Sequence, residues 1–213
     1  MDNDLLNTLE TISCFSILIP LVNSIKVRRG LDNIYLPLLT LICIGTFSEL
    51  ISLILIHFNI RNAFVSRVYT LLEFILIVRF YQLSLKEIIK PYFFSVPVGF
   101  FLIIAVTDLL VNGAFNFDNY GTAFEALTFS FISLLSFYYI IQRSLFENLT
   151  GAAFFWFNSG ILLYFGGCLT VFIFSNYIIY QTIYHPSVWA IHSVLNIIYN
   201  IVLAIGFWKT RHQ

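Results

Sequence analysis

Residues 35–58 read YLPLLTLICIGTFSELISLILIHF, an apolar run in which Glu49 is the single acidic or basic charge. As an α-helix rising 1.5 Å per residue, such a run is about 36 Å long, and the hydrocarbon core of a bilayer is about 30 Å thick. The same test along the chain finds seven spans, at residues 8–25, 35–58, 63–85, 92–110, 123–141, 154–178 and 188–208. The first is the weakest, short and interrupted by Pro20 and Asn23. Pro37, Pro91 and Pro186 stand near the starts of the second, fourth and seventh spans. A first helical turn has no use for the missing N–H, so proline is at home there.

Composition agrees. The 213 residues are 59% hydrophobic and 10% charged, with a mean hydropathy of +0.88, whereas a soluble domain carries about 25% charged residues. The expected object is all-α: a polytopic membrane protein, one seven-helix transmembrane domain over residues 1–213. Its net charge is zero and it has no basic block, so nothing points to nucleic acid. The stretches between spans leave no room for an ATP-binding or kinase domain. The N-terminus, MDNDLLNTLE, lacks the basic n-region and small-residue cleavage site of a signal peptide and is expected to stay on the chain. Cys14, Cys43 and Cys168 fall inside apolar runs without paired spacing and read as core residues.

Orientation follows from lysine and arginine in the connectors. With the N-terminus outside, the inner segments hold Lys26, Arg28, Arg29, Lys86, Lys90, Arg143, Lys209 and Arg211, and the outer segments hold Arg61 and Arg67. The chain is expected to run N-out, C-in, as a multi-pass membrane protein. Asn148-Leu149-Thr150 matches a glycosylation tripeptide, but this topology puts it inside, as a chance match.

Ionisable side chains within spans are candidates for function, because an unpaired charge at mid-bilayer costs about 3 kcal/mol or more. Several have structural readings. Glu10 in NTLE and Glu125 in TAFE fit capping boxes at outer helix starts. Asp108 is close enough to an outer helix end to snorkel, and Arg79 can reach the inner headgroups. His57 and His185 read as interfacial. Glu49 and Glu73 are different, lying nine or ten residues from the outer helix ends, or roughly 14 Å deep. They are expected to face the interior, protonated or hydrogen-bonded.

In the seventh span, His192, Asn196 and Asn200 are spaced by four and form a slowly drifting polar stripe on one face. Opposite Glu49 and Glu73, with Tyr69, the stripe would make a polar ligand pocket in the outer half. Helix–helix hydrogen bonding is the alternative reading. No full metal-ligand set is visible: the seventh span has His-x-x-x-Asn rather than His-x-x-x-His. Seven-helix zinc amidases related to alkaline ceramidase carry a fuller histidine set. A retinal-binding lysine is also missing from the seventh span, since Lys209 lies beyond it. No cofactor or metal is expected.

The chain also echoes itself. YTLLEF (residues 69–74) lies over HSVLNI (192–197), TLETIS (8–13) over AFEALT (123–128), and ELISLILIHF (49–58) over CLTVFIFSNY (168–177). These offsets suggest a 3+1+3 parallel repeat, with the fourth span as connector, a plan used by transporters. In that plan Tyr69 falls on His192 and Glu73 on Asn196.

The segments YTLLEF…FY, FWFNSGILLYFGG and IHSVLNIIYNIVLAIGFW resemble those of small, uncharacterised bacterial seven-helix membrane proteins. The resemblance covers nearly the whole chain and implies the architecture, with no activity or site residue attached.

Three functions stay open. A receptor-like or accessory protein would hold a small ligand and act through a signalling partner or a homo-oligomer. A small-solute transporter, proton-coupled, would be built on the repeat. An intramembrane metal-dependent hydrolase lacks a visible nucleophile–base pair, so an enzyme is the least favoured class.

Overall fold

The computed structural model describes residues 3–113, 119–142, 149–173 and 185–212. Among these the regular elements are all helical. They are α1 (Asn3–Ser16), α2 (Leu18–Val27), α3 (Leu36–His57), α4 (Ala63–Ser84), α5 (Pro91–Asn112), α6 (Asn119–Gln142), α7 (Ala153–Ile173) and α8 (His185–Lys209). Single 3-10 turns follow at Arg28–Gly30, Leu149–Gly151 and Thr210–His212. Asn148, the far end of the sixth expected span and the His185 side chain lie outside the described residues.

Six stretches among the described residues are long and apolar enough to cross a membrane: Asp4–Gly30, Leu36–His57, Pro91–Asn112, Tyr120–Gln142, Ala153–Phe172 and Trp189–Lys209. The chain is a multi-pass membrane protein. The third expected span, α4, matches the others at 22 residues. It carries Arg67, Glu73 and Arg79, and it is not among the six.

The first span is longer than expected and broken in the middle. Pro20 has no N–H to give the carbonyl of Ser16, and its ring crowds that carbonyl. The helix therefore pauses at Ile17, which keeps helical dihedrals (φ −60, ψ −21), and resumes with Leu21 N–H donating to Ile17 O at 3.2 Å. Pro37 and Pro91 sit in first turns as expected. The capping-box readings of Glu10 and Glu125 are overturned. α1 is helical from Asn3 and α6 from Asn119, the first described residue of each stretch, so both glutamates lie inside helices. Glu10 is exposed, and Glu125 is buried.

Contacts group the chain into two compact units, Met1–Leu31 with Ala126–Gln213, and Asp32–Glu125. In the first unit α8 packs against α7 and against α1 and α2. The α7–α8 pair is antiparallel, with Gly167 against Leu195, Gly160 against Val202 and Gly206 against Phe157. A Cβ at Gly206 would stand 2.6 Å from the Phe157 ring, so only glycine admits this approach. α6 meets α7 through edge contacts of Phe129 with Phe165 and of Phe137 with Phe155. In the second unit α4 packs against both α3 and α5. Phe74 of α4 stacks on Phe101 of α5, with ring centroids 4.1 Å apart and 6° between planes.

These units are not the expected triplets. The first span groups with the last, and α5 packs on α4.

Candidate functional site

The polar face of α8 splits between two neighbours. A step of four residues turns a helix about 400°, so each member of the His192–Asn196–Asn200 series drifts about 40° from the one before. His192 meets α7, where its Nε2 is 3.1 Å from the hydroxyl of Tyr164, within hydrogen-bond reach. Three aromatic rings gather around the imidazole, with centroid distances of 5.8 Å to Tyr164, 6.0 Å to Phe172 and 5.7 Å to Trp189. Tyr164 in turn stacks on Tyr199 at 4.9 Å. The imidazole itself is half-buried.

Further along, Asn196 and Asn200 have rotated toward α1. Asn196 Nδ2 donates to Ser13 Oγ at 3.0 Å, and Asn200 Nδ2 donates to Ser16 Oγ at 2.7 Å. Ser16 Oγ donates to the carbonyl of Ser13 at 2.6 Å. Two serines spaced by three and two asparagines spaced by four thus interlock between parallel helices. Lipid offers such groups no substitute partner, so they find each other. Each interhelical bond of this kind contributes about 0.6 kcal/mol on average and up to about 1.7. A third asparagine, Asn158 of α7, is fully buried and donates to the carbonyl of Ser133 at 3.1 Å.

The second unit concentrates its charge on α4. Glu73 is 6% exposed, and one carboxylate oxygen accepts the Tyr69 hydroxyl at 3.1 Å, one turn away on the same helix. Glu49, on α3, is half-buried. The main departure from expectation is Asp108. It does not snorkel: it is buried, and Oδ2 lies 2.6 Å from a guanidinium nitrogen of Arg67, with the two side chains 2% and 9% exposed. Asn112, one turn on, donates to Oδ1 at 2.7 Å. Arg79 is exposed and bonds Gln82 on its own helix. His57 is exposed at the end of α3.

Of the expected pocket residues, Tyr69 and Glu73 come together, and Asn196 and Asn200 adjoin. Glu49, Tyr69 and Glu73 belong to one unit, and His192, Asn196 and Asn200 to the other, so each set is described within its own. Sequence reasoning missed Tyr164, Ser13, Ser16, Asn158 and the Arg67–Asp108 pair. The serines carried a signal, since their spacing puts both hydroxyls on one face. Tyr164 had none beyond its place in an aromatic-rich span. Among the described residues no three histidine, cysteine or acidic side chains converge as a metal site would require. No protein-family model, no curated protein and no solved structure matches the chain.

Proposed function

We propose that the chain is a receptor-like or accessory membrane protein that holds a small ligand at its helix polar groups and acts through a partner. It runs N-out and C-in, on the strength of its charge asymmetry, with α4 as the seventh span. The observation that carries this reading is the surroundings of His192: a half-buried imidazole bonded to a phenol and ringed by Phe172 and Trp189. Small-molecule sites are lined in this way, mostly apolar and aromatic with a few placed polar groups. Asn196 and Asn200 tie α8 to α1 and hold that surface in place. The described connectors between residues 28 and 90 are short, so a response leaves through another subunit.

A small-solute transporter is the second reading. Glu73 favours it, as a carboxyl withdrawn from water beside Tyr69 and suited to carrying a proton. The packing of the first span on the last weakens it, because the repeat on which it was founded groups the helices otherwise.

Trp189 gives the test. The chain has three tryptophans, so W156F/W208F leaves Trp189 as sole reporter. A library of small polar and aromatic solutes titrated into this variant is expected to yield a saturable change in emission, lost in His192→Ala. A saturable change that persists in His192→Ala would place the site elsewhere. Uptake of a labelled solute into proteoliposomes, abolished by Glu73→Gln, would replace the receptor-like reading with the transporter.

A further inference from the structure

The register of α1 against α8 fixes what lies at the far end of the same unit. Ser16 is level with Asn200, the two helices run parallel, and α2 continues to pack on α8. About ten residues further along each helix, roughly 15 Å on, come Lys26 on α2 and Lys209 on α8. Arg28 and Arg29 follow in the turn after α2, and Arg211 in the turn after α8. Lys26, Arg28, Arg29 and Arg211 are exposed, and Lys209 is half-exposed. Past Glu10, the described residues of this unit contain no aspartate or glutamate. The next acid in the chain, Asp32, accepts the backbone N–H of Ile34. Five cations therefore collect at one end of one unit, and among its described residues there is no acid at that end to answer them.

Just inside these cations lies a belt of amphipathic rings. The contacts Phe157–Phe207 and Phe137–Phe155 bring the ends of α6, α7 and α8 to one level. Trp208 is half exposed there, with Lys209 Nζ 5.2 Å from its ring centroid. Trp156, at the start of α7, donates its indole N–H to Thr150 O at 2.8 Å, and Tyr138 is exposed on α6. Toward the bilayer centre α2 and α8 present exposed apolar side chains, Val22, Ile25 and Ile201. Apolar surface, then aromatic rings, then cations is the order of layers met at the edge of a membrane.

We propose that this end of the unit is a binding site for the headgroup of an anionic phospholipid. The phosphodiester is held between the Lys26–Arg28–Arg29 turn and the Lys209–Arg211 turn, where arginines offer two parallel donors to phosphate oxygens. The acyl chains lie along the exposed faces of α2 and α8. That apolar surface is the reason to assign a lipid rather than a soluble phosphate. The assignment is independent of the His192 site and of which side of the membrane this end faces.

The test uses the full chain as W156F/W189F, leaving Trp208 as the reporter beside the cations. Brominated phosphatidylglycerol and brominated phosphatidylcholine are titrated into the detergent-solubilised protein and quenching is measured. Phosphatidylglycerol is expected to quench at a several-fold lower mole fraction. A basic residue near a membrane surface contributes up to about 1 kcal/mol, a factor of about five, so the several-fold preference equals one or two such contributions shared among the five cations and should fall with each charge removed. In K26Q/R28Q/R29Q/K209Q/R211Q the preference should vanish, and in the charge-preserving R28K/R29K/R211K it should largely remain. Raised salt should reduce it, as charge screening requires. Equal quenching by the two lipids overturns the proposal, as does a preference that survives the five-fold neutralisation. Displacement of the lipid by inorganic phosphate would show a soluble-anion site and would also overturn it.

Discussion

Breaking the Arg67–Asp108 pair should be the most destabilising single-residue change to a charged side chain in this chain. The atoms are 2.6 Å apart and the side chains 9% and 2% exposed, so neither charge has water to fall back on. With charge centres about 4 Å apart and an effective dielectric near 20, the Coulomb attraction is about 4 kcal/mol. Measured losses on removing one member of a buried pair agree, at about 3–5 kcal/mol. Arg67→Met and Asp108→Leu should each fall in that range, a change of about 100- to 5,000-fold in the unfolding constant. The double variant replaces both charges with apolar groups and should lose far less than either single one. Asn112→Leu, which removes one bond to the carboxylate from an exposed position, should lose less than either. Pulse proteolysis in mixed micelles, at increasing fractions of denaturing detergent, gives the midpoints of the cycle. If the double variant loses the sum of the two singles, the pair carries no coupling and this account of Asp108 is wrong.

Gly206→Ala puts a methyl group 2.6 Å from the buried Phe157 ring, whereas Gly99→Ala meets nothing within 4 Å. Overpacking costs about 1–3 kcal/mol and alanine regains up to about 1 in helix propensity. Thermal denaturation should show the first variant destabilised and the second unchanged or stabilised. Asn200→Leu should cost about 0.6–1.7 kcal/mol by losing its bond to Ser16; adding Ser16→Ala should cost little more, and full additivity in the same unfolding assay would deny the contact. Reporter fusions after Arg29, Lys90, Arg143 and Gln213 should all read cytoplasmic, and a periplasmic signal at Gln213 would overturn the N-out, C-in orientation.

The helices were legible because the apolar runs are long, and a bilayer leaves a run of that length no other regular fold. Residues 35–58 and 63–85 emerged within a residue or two as α3 and α4. Capping was less legible. NTLE and TAFE have the residues of a helix start, but the residues upstream, Asn3 to Asn7 and Asn119 to Thr122, also join their helices and carry the glutamates inside. Helix boundaries at a membrane surface are set by where the backbone ceases to need internal hydrogen bonds, which side-chain pattern alone does not mark.

The side-chain partnerships divide into two kinds, and the division explains what sequence could have reached. α4 and α5 form an antiparallel hairpin over the connector at residues 85–90, so positions equidistant from its centre face each other. Arg67 and Asp108 are equidistant from the point between Glu87 and Ile88, and so are Phe74 and Phe101, both of which meet across the hairpin. Reflecting the sequence about that connector would have found the ion pair, and it would have shown why Asp108 has no need to snorkel. The α1–α8 bonds obey no such reflection. Ser13 and Asn196, or Ser16 and Asn200, are separated by more than 180 residues and run parallel, so no connector fixes their register. What the sequence did hold was a reason for them to meet. The first span brings serines spaced by three on one face, the last brings asparagines spaced by four, and each face is costly in lipid without the other. Satisfaction of polar groups names the faces that must be covered, and only a hairpin names the residue that covers them.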